Sequence, residues 1–122
     1  MTIVCLDNTP IMLQSLKENA EKAYPYAEVQ AFLYAEAALN YVENHGCDVL
    51  LCEIIPPRLE GIFLAEKVKR INPKVNIIFV TVCSESEHAK AVMRLKPSGY
   101  LTKEATSTQI LEELQNLRYP VA

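Results

Sequence analysis

Three stretches of the chain are apolar along almost their whole length, and each ends at a polar residue. They are residues 3–6, followed by Asp7; residues 49–52, followed by Glu53; and residues 75–80, followed by Thr81. Continuous runs of this length are typical of strands that are buried on both faces of a parallel sheet. Residues 28–32 alternate polar and apolar side chains, and residues 99–102 are short, so both are predicted to be edge strands.

Apolar residues at helical spacing follow each predicted strand. Pro10 stands in the first turn of the first predicted helix and Pro25 follows its end, while Gly46 and Asn72 mark the ends of the second and third. Residues 84–87 and 106–109 have the pattern of a capping box and predict the starts of the fourth and fifth helices. The face of the fifth carries Ile110, Leu111, Leu114 and Leu117.

Five strands that alternate with five helices predict one α/β domain over residues 1–122, with a doubly wound parallel (βα)5 sheet. The three continuous strands belong in the middle and the other two at the edges. The flavodoxin-like strand order 2-1-3-4-5 meets this requirement. The first and third strands then adjoin at the switch point, so we expect Asp7 and Glu53 to face one crevice.

Composition excludes several classes of function. The formal net charge of -3 gives no general attraction to nucleic acid, so we expect no direct nucleic acid binding by this domain. No apolar run is long enough to span a bilayer and the N-terminus has no signal-peptide pattern, which predicts a cytoplasmic protein without membrane contact. The four cysteines form no C-x-x-C pair, which favours buried thiols over a zinc site or a disulfide framework.

Five chemically active residues are expected at the carboxyl ends of the strands. They are Asp7, Asn8, Glu53, Thr81 and Lys103. Two carboxylates, a hydroxyl and an ammonium are the groups that a small site for Mg²⁺ and a phosphoryl group contains. A carboxylate that closes a buried strand needs a partner, so a Glu53–Lys103 ion pair is expected in any case.

The motifs around these residues resemble those of the receiver domain of two-component response regulators, along nearly the whole chain. They are Leu6-Asp7-Asn8, Glu53 with Pro57 and Gly61 after it, Thr81, and Gly99-Tyr100-Leu101-Thr102-Lys103. The resemblance implies a regulatory domain and not an enzyme. It makes Glu53 the phosphoacceptor position and Thr81, Tyr100 and Lys103 the switch and phosphate-contact positions. It assigns Mg²⁺ to Asp7, Glu53 and the backbone carbonyl of Ile55. We further expect Tyr100 to be half-buried, with its hydroxyl in water.

Four residues depart from the family pattern. Glu53 replaces the phosphoacceptor aspartate, Asn8 replaces an acid, Val82 stands where small residues are usual, and Glu104 stands where proline is common. Glutamate displaces the nucleophilic oxygen, and a misplacement near 1 Å can cost roughly 100-fold in rate. The departures therefore predict weak Mg²⁺ binding and an atypical receiver that acts as a regulatory interaction and dimerisation module.

The resemblance also implies partners. These are a histidine kinase, an output domain after Ala122 if the chain belongs to a longer transcription regulator, and a weak homodimer through the fourth helix, fifth strand and fifth helix. In that dimer Lys90, Arg94 and Lys96 would face Glu112 and Glu113. Two alternatives stay open. One is a conventional phosphorelay receiver that controls a DNA-binding output domain. The other is a small flavodoxin-like cofactor-binding protein, although residues 7–10 lack a glycine-rich phosphate loop.

Overall fold

The computed structural model describes residues 1–84 and 86–121, and in them five parallel strands alternate with five helices. The elements are β1 (Thr2–Leu6), α1 (Pro10–Ala23), β2 (Glu28–Phe32), α2 (Ala35–His45), β3 (Val49–Cys52), α3 (Glu60–Ile71), β4 (Asn76–Thr81), α4 (Ala89–Arg94), β5 (Gly99–Thr102) and α5 (Ser107–Gln115). The strand order is β2-β1-β3-β4-β5, which confirms the predicted fold. No helix in the described residues is long and apolar enough to cross a membrane.

Two hydrophobic clusters cover the two faces of the sheet. Because successive side chains of a strand point to opposite faces, Ile3 and Cys5 join one cluster and Val4 and Leu6 join the other. Helices α1 and α5 close the first face, and α2, α3 and α4 close the second. β3 and β4 are buried throughout, whereas β2 and β5 are only partly buried, as expected for edge strands.

The helix boundaries follow the predicted signals closely except at the end of α5 and at the start of α4. Pro10 begins α1, Gly46 follows α2 with a φ of 77°, and Asn72 caps α3. The second capping box is confirmed, since the Thr106 side chain accepts from the Gln109 amide while the Gln109 side chain accepts from the Thr106 amide. Helix α5 ends at Gln115, however, so Leu117 packs on the core from beyond the helix.

The first predicted capping box does not begin α4, which starts only at Ala89. In a capping box the Ser84 hydroxyl would accept from the Glu87 amide. Instead this hydroxyl donates to Glu87 Oε1 at 3.1 Å, and the Glu87 amide donates to the Ser84 carbonyl oxygen. These bonds close a turn and not a helix. Glu85, which belongs to the predicted box, lies outside the described residues.

Close contact between β3 and α3 depends on Gly61. A Cβ atom at this position would collide with the Glu53 carbonyl oxygen and would lie 2.9 Å from Ile54 Cα. The Gly61 amide donates to the Ile54 carbonyl oxygen at 3.0 Å. Glycine therefore lets the start of α3 pack directly against the backbone that carries Glu53.

All four cysteines are buried free thiols, as predicted. Burial is the main cause that raises the pKa of the Cys47 thiol to about 12, and it also raises the pKa of Cys52. These thiols act as small core residues.

Candidate functional site

The site begins where β1 and β3 end side by side. Leu6 pairs with Cys52 in the parallel register, so the next residues, Asp7 and Glu53, come out at the same edge of the sheet. The Glu53 amide also donates to the Leu6 carbonyl oxygen at 3.0 Å. Both carboxylates are buried, with Asp7 0% and Glu53 1% exposed. The predicted juxtaposition of the two acids is therefore present.

Lys103 reaches these acids from the end of β5. Its amide donates to the Thr81 carbonyl oxygen at 2.9 Å, which fixes the residue beside β4. Its Nζ atom lies 3.0 Å from Asp7 Oδ2 and 3.1 Å from Glu53 Oε1. One ammonium thus bridges two buried carboxylates, and the expected Glu53–Lys103 ion pair is formed.

The Glu53 carboxylate has four polar partners, two at each oxygen, which form three hydrogen bonds and one ion pair. Oε1 accepts from Lys103 Nζ and from the Val82 amide at 3.1 Å. Oε2 accepts from the Ile55 amide at 3.2 Å and from the Thr81 hydroxyl. A buried carboxylate is tolerated only when its oxygens are satisfied in this way.

Thr81 connects Glu53 to the loop between β4 and α4. Its Oγ1 atom donates to Glu53 and accepts from the Cys83 amide at 3.2 Å. The Cys83 carbonyl oxygen in turn accepts from the Tyr100 hydroxyl at 2.9 Å, with the Ser84 carbonyl oxygen 3.2 Å from the same hydroxyl. Hydrogen bonds and the backbone of Cys83 therefore connect Glu53 to Tyr100.

Tyr100 is partly buried, as predicted, and its hydroxyl also donates to backbone carbonyls of the loop after β4. The ring is partly buried and packs against Phe79, with 6.0 Å between the ring centroids. This packing directs the hydroxyl to the loop carbonyls. The conformation of residues 83 and 84 creates these acceptors, and the sequence pattern does not predict it.

The sequence signals also missed the role of two backbone amides. Ile55 was assigned to the metal through its carbonyl oxygen, but that oxygen accepts from the Leu59 amide at 2.8 Å while the Ile55 amide contacts Glu53. Ile55 has a φ of 61°, an uncommon conformation for a β-branched residue. Val82 likewise contributes its amide, and its side chain is 61% exposed. In the sequence, only the turn signal Pro56-Pro57 indicates an irregular backbone conformation next to Ile55.

The other departures from the family pattern lie at the rim of the site. Asn8 and Glu104 are both exposed. Glu104 accepts a hydrogen bond from the Thr102 hydroxyl at 2.7 Å, at the outer end of β5. Among the described residues, neither side chain forms a hydrogen bond or an ion pair with Glu53.

The pKa of Lys103 results from burial, which is the largest single influence, and from the two acids, which together outweigh it. Burial lowers this pKa, but the hydrogen bonds and negative charges of Asp7 and Glu53 raise it by more, so it lies above its usual 10.5. The ammonium is therefore firmly held in its charged form.

The arrangement does not fit a Mg²⁺ ion as it stands. Mg²⁺ requires near-octahedral oxygen ligands about 2.1 Å away and dehydrates reluctantly. Here Lys103 Nζ lies between the two carboxylates, both Glu53 oxygens hold two donors each, and the Ile55 carbonyl oxygen is engaged. An ion would have to displace these contacts in order to bind.

Comparison with known proteins agrees with the fold. A family model described as the response regulator receiver domain matches residues 3–115. A response regulatory protein of Vibrio cholerae is 25% identical over 118 residues, which are 96% of this chain and 44% of that protein. The transcriptional regulatory protein DegU of Brevibacillus brevis is 22% identical over 113 residues, which are 93% of this chain and 48% of DegU.

A solved structure is also similar to this chain. The CheY-like receiver domain of Methanospirillum hungatei superposes with a TM-score of 0.81 at 25% identity, covering 93% of this chain and 90% of that one. The chain spans less than half the length of the two curated relatives.

Replacing Lys103 by Met should destabilise the protein strongly, because it leaves two buried carboxylates without their cation. Removing one partner of a buried ion pair typically costs about 3–5 kcal/mol, and we expect a loss of about 3 kcal/mol at neutral pH. Chemical denaturation measures it. Lys67→Met, at an exposed position on α3, is the matched control and should change stability by less than about 0.5 kcal/mol.

The pH dependence of this difference has a definite sign. A lysine whose pKa is raised by folding contributes stability that is complete below its unfolded pKa and is lost as the pH rises through the folded pKa. The difference in the free energy of unfolding between wild type and Lys103→Met should therefore become smaller above pH 10.5. Equal stability of the two proteins at neutral pH would contradict the bridging role of Lys103.

Proposed function

We propose a function from the premise that this chain belongs to the response regulator receiver domain family of two-component signal transduction. Receiver domains are regulatory domains, and we assign this one to regulation and not to enzymatic catalysis. In our proposal it is an interaction and dimerisation module that does not depend on phosphorylation. The observation that carries the proposal is the engagement of Glu53 by Thr81 and Lys103.

Glu53 stands at the phosphoacceptor position and already holds the groups that would contact a phosphoryl group. A phosphoryl group brings about two negative charges and three acceptor oxygens, whereas a carboxylate brings one charge and two oxygens. Glu53 orders Thr81, and the Thr81 hydroxyl accepts from the Cys83 amide. The Cys83 carbonyl oxygen in turn accepts from the Tyr100 hydroxyl. We therefore regard Glu53 as a permanent, partial substitute for the phosphorylated acceptor.

The same contacts make Glu53 a poor phosphoacceptor. Each oxygen that would attack a phosphoryl donor already has two polar partners, counting the ion pair with Lys103. Attack would require at least one of these to break in a buried site. The extra methylene of glutamate adds a displacement, and a misplacement near 1 Å costs about 100-fold.

Receiver domains generally bind Mg²⁺ at this site, and we propose that this one binds it weakly. Asp7, Glu53 and the Ile55 carbonyl would be the protein ligands, but Lys103 competes for both acids. Asn8 follows Asp7 at the position where the family pattern has a second acid, so the site has one negative charge fewer.

Isothermal titration with Mg²⁺ should show binding too weak to saturate at millimolar concentration. Asn8→Asp should tighten it by adding a charge, and Asn8→Ser is the control that changes the side chain without adding charge. Tight binding by the wild-type protein would defeat the proposal of a weak site. So would an Asn8→Asp variant that behaves like Asn8→Ser.

Phosphorylation tests the central part of the proposal. After incubation with acetyl phosphate and Mg²⁺, intact-mass analysis should show no stable phosphoryl adduct on wild type or on Glu53→Gln. Glu53→Asp shortens the side chain and restores the family's acceptor. An adduct on Glu53→Asp alone would identify glutamate as the residue that silences the site.

An adduct on wild type that Glu53→Gln abolishes would instead support the conventional phosphorelay reading. An adduct that Asp7→Asn abolishes would place the acceptor at Asp7. If even Glu53→Asp stays unmodified, Asn8 and Val82 contribute to the silencing.

We also propose a weak homodimer through α4, β5 and α5. Lys90, Arg94 and Lys96 are exposed on or next to α4, and Glu112 is exposed on α5 with Glu113 partly exposed. Met93 is 73% exposed between these positive charges and supplies an apolar centre. A two-fold axis could bring the positive residues of one copy to the acids of the other.

Sedimentation at low salt should show self-association that weakens as salt is added, because exposed charge pairs are screened. Glu112→Lys should reduce it by removing an attraction and adding a repulsion. Lys67→Glu, a charge change on α3, should leave it unaffected. A dimer that responds to neither salt nor Glu112→Lys would contradict this interface.

The wider setting is a further part of the proposal. The relative from Brevibacillus brevis is a transcriptional regulatory protein of about twice this length. We propose that this chain is the receiver part of such a cytoplasmic regulator, with a DNA-binding output domain after Ala122 and a histidine kinase as a possible upstream partner. The receiver itself is proposed not to bind nucleic acid or membrane.

A further inference from the structure

A second group of metal-binding side chains lies outside the Glu53 site, in the loop between β4 and α4. Cys83, Glu87 and His88 each offer one ligand atom, and these atoms all lie within 4.8 Å of one another. We propose that these three residues bind a divalent transition metal ion of the Zn²⁺ class. The proposal does not depend on the function assigned to Glu53.

The donor set selects the class of metal. Thiolate, imidazole and carboxylate are the protein ligands that Zn²⁺ takes in four-coordinate sites, with a water molecule at the fourth position when only three are available. Hard ions such as Mg²⁺ require oxygen ligands and would not use the thiolate. Zinc–ligand distances are about 2.0–2.3 Å, so the three atoms need to approach by roughly 1 Å.

Part of the site is already held in place. Glu87 Oε1 accepts from the Ser84 amide at 3.2 Å and from the Ser84 hydroxyl at 3.1 Å, which orients the carboxylate. The Cys83 backbone is fixed at both ends, because its amide donates to Thr81 and its carbonyl accepts from Tyr100.

Burial defines how an ion would enter. Cys83 is 2% exposed, Glu87 is exposed and His88 is intermediate. An ion would approach past Glu87 and be shielded on the Cys83 side. Binding forms a sulfur–metal bond and releases the thiol proton to solvent, with no change of oxidation state.

A bound ion would join the end of β4 to the start of α4. The same loop supplies the Cys83 carbonyl oxygen that the Tyr100 hydroxyl contacts. We therefore expect the metal to reduce the mobility of the β4–α4 loop and of the short helix α4. Amide hydrogen exchange of a peptide that covers residues 82–94 measures this effect.

The test uses the metal-free, reduced chain with Zn²⁺ for affinity and Co²⁺ as the spectroscopic probe. Wild type should bind one Zn²⁺ per chain, and its Co²⁺ form should show a sulfur-to-cobalt charge-transfer band that Cys83→Ser abolishes. Glu87→Gln and His88→Gln should weaken Zn²⁺ binding at least about tenfold, or about 1.4 kcal/mol. His45→Gln, at the end of α2, is the matched control and should bind as wild type does.

Several results would overturn the proposal. Absence of Zn²⁺ binding to wild type would do so, as would unchanged affinity in both Glu87→Gln and His88→Gln. A charge-transfer band that survives in Cys83→Ser would assign the thiolate to another cysteine. If Cys83→Ser fails to fold, the Glu87 and His88 variants decide the matter, because neither side chain belongs to the core.

Discussion

Burial of the Glu53 carboxylate is the constraint on which the rest of the site depends. An ionised group away from water is tolerated only with an opposite charge and enough hydrogen-bond donors. Four residues supply the charge and the donors. They are Lys103 after β5, Thr81 at the end of β4, and Ile55 and Val82, which contribute backbone amides from two loops. The requirement of one carboxylate therefore fixes the ends of three strands relative to one another.

This constraint has a consequence for regulation in the proposed function. In a receiver that switches, the acceptor must be able to exist with and without its phosphoryl group, and the groups around it respond to the difference. Here Glu53 engages Thr81 continuously, and Thr81 is joined through Cys83 to Tyr100. The amides of Val82 and Cys83 are thus held by the side chains of Glu53 and Thr81, which are present whether or not the protein is phosphorylated. In this proposal, association with partners remains variable, and the proposed metal ion would bind Cys83 of the same segment.

The fold was predictable because the signals for it are local and redundant. Continuous apolar runs identified the central strands, and the strand order then placed Asp7 beside Glu53. The pairing of Glu53 with Lys103 followed from the cost of a buried carboxylate. Backbone conformation was not predictable: the positive φ of Ile55 and the amide contributed by Val82 depend on the loop path. The start of α4 was missed because Ser84 and Glu87 use the same groups to close a turn.

Site-specific amide hydrogen exchange in wild type and in Glu53→Met tests most directly whether Glu53 holds residues 82 and 83, because methionine is of similar length but lacks both carboxylate oxygens. We expect the amides of Val82 and Cys83 to exchange at least about tenfold faster in the variant. The Val82 amide donates to Glu53, and the Cys83 amide donates to Thr81, which Glu53 orders. The Ile78 amide, in the middle of β4, should keep its protection relative to global unfolding. Unchanged protection of Val82 and Cys83 would contradict the claim that Glu53 holds this loop.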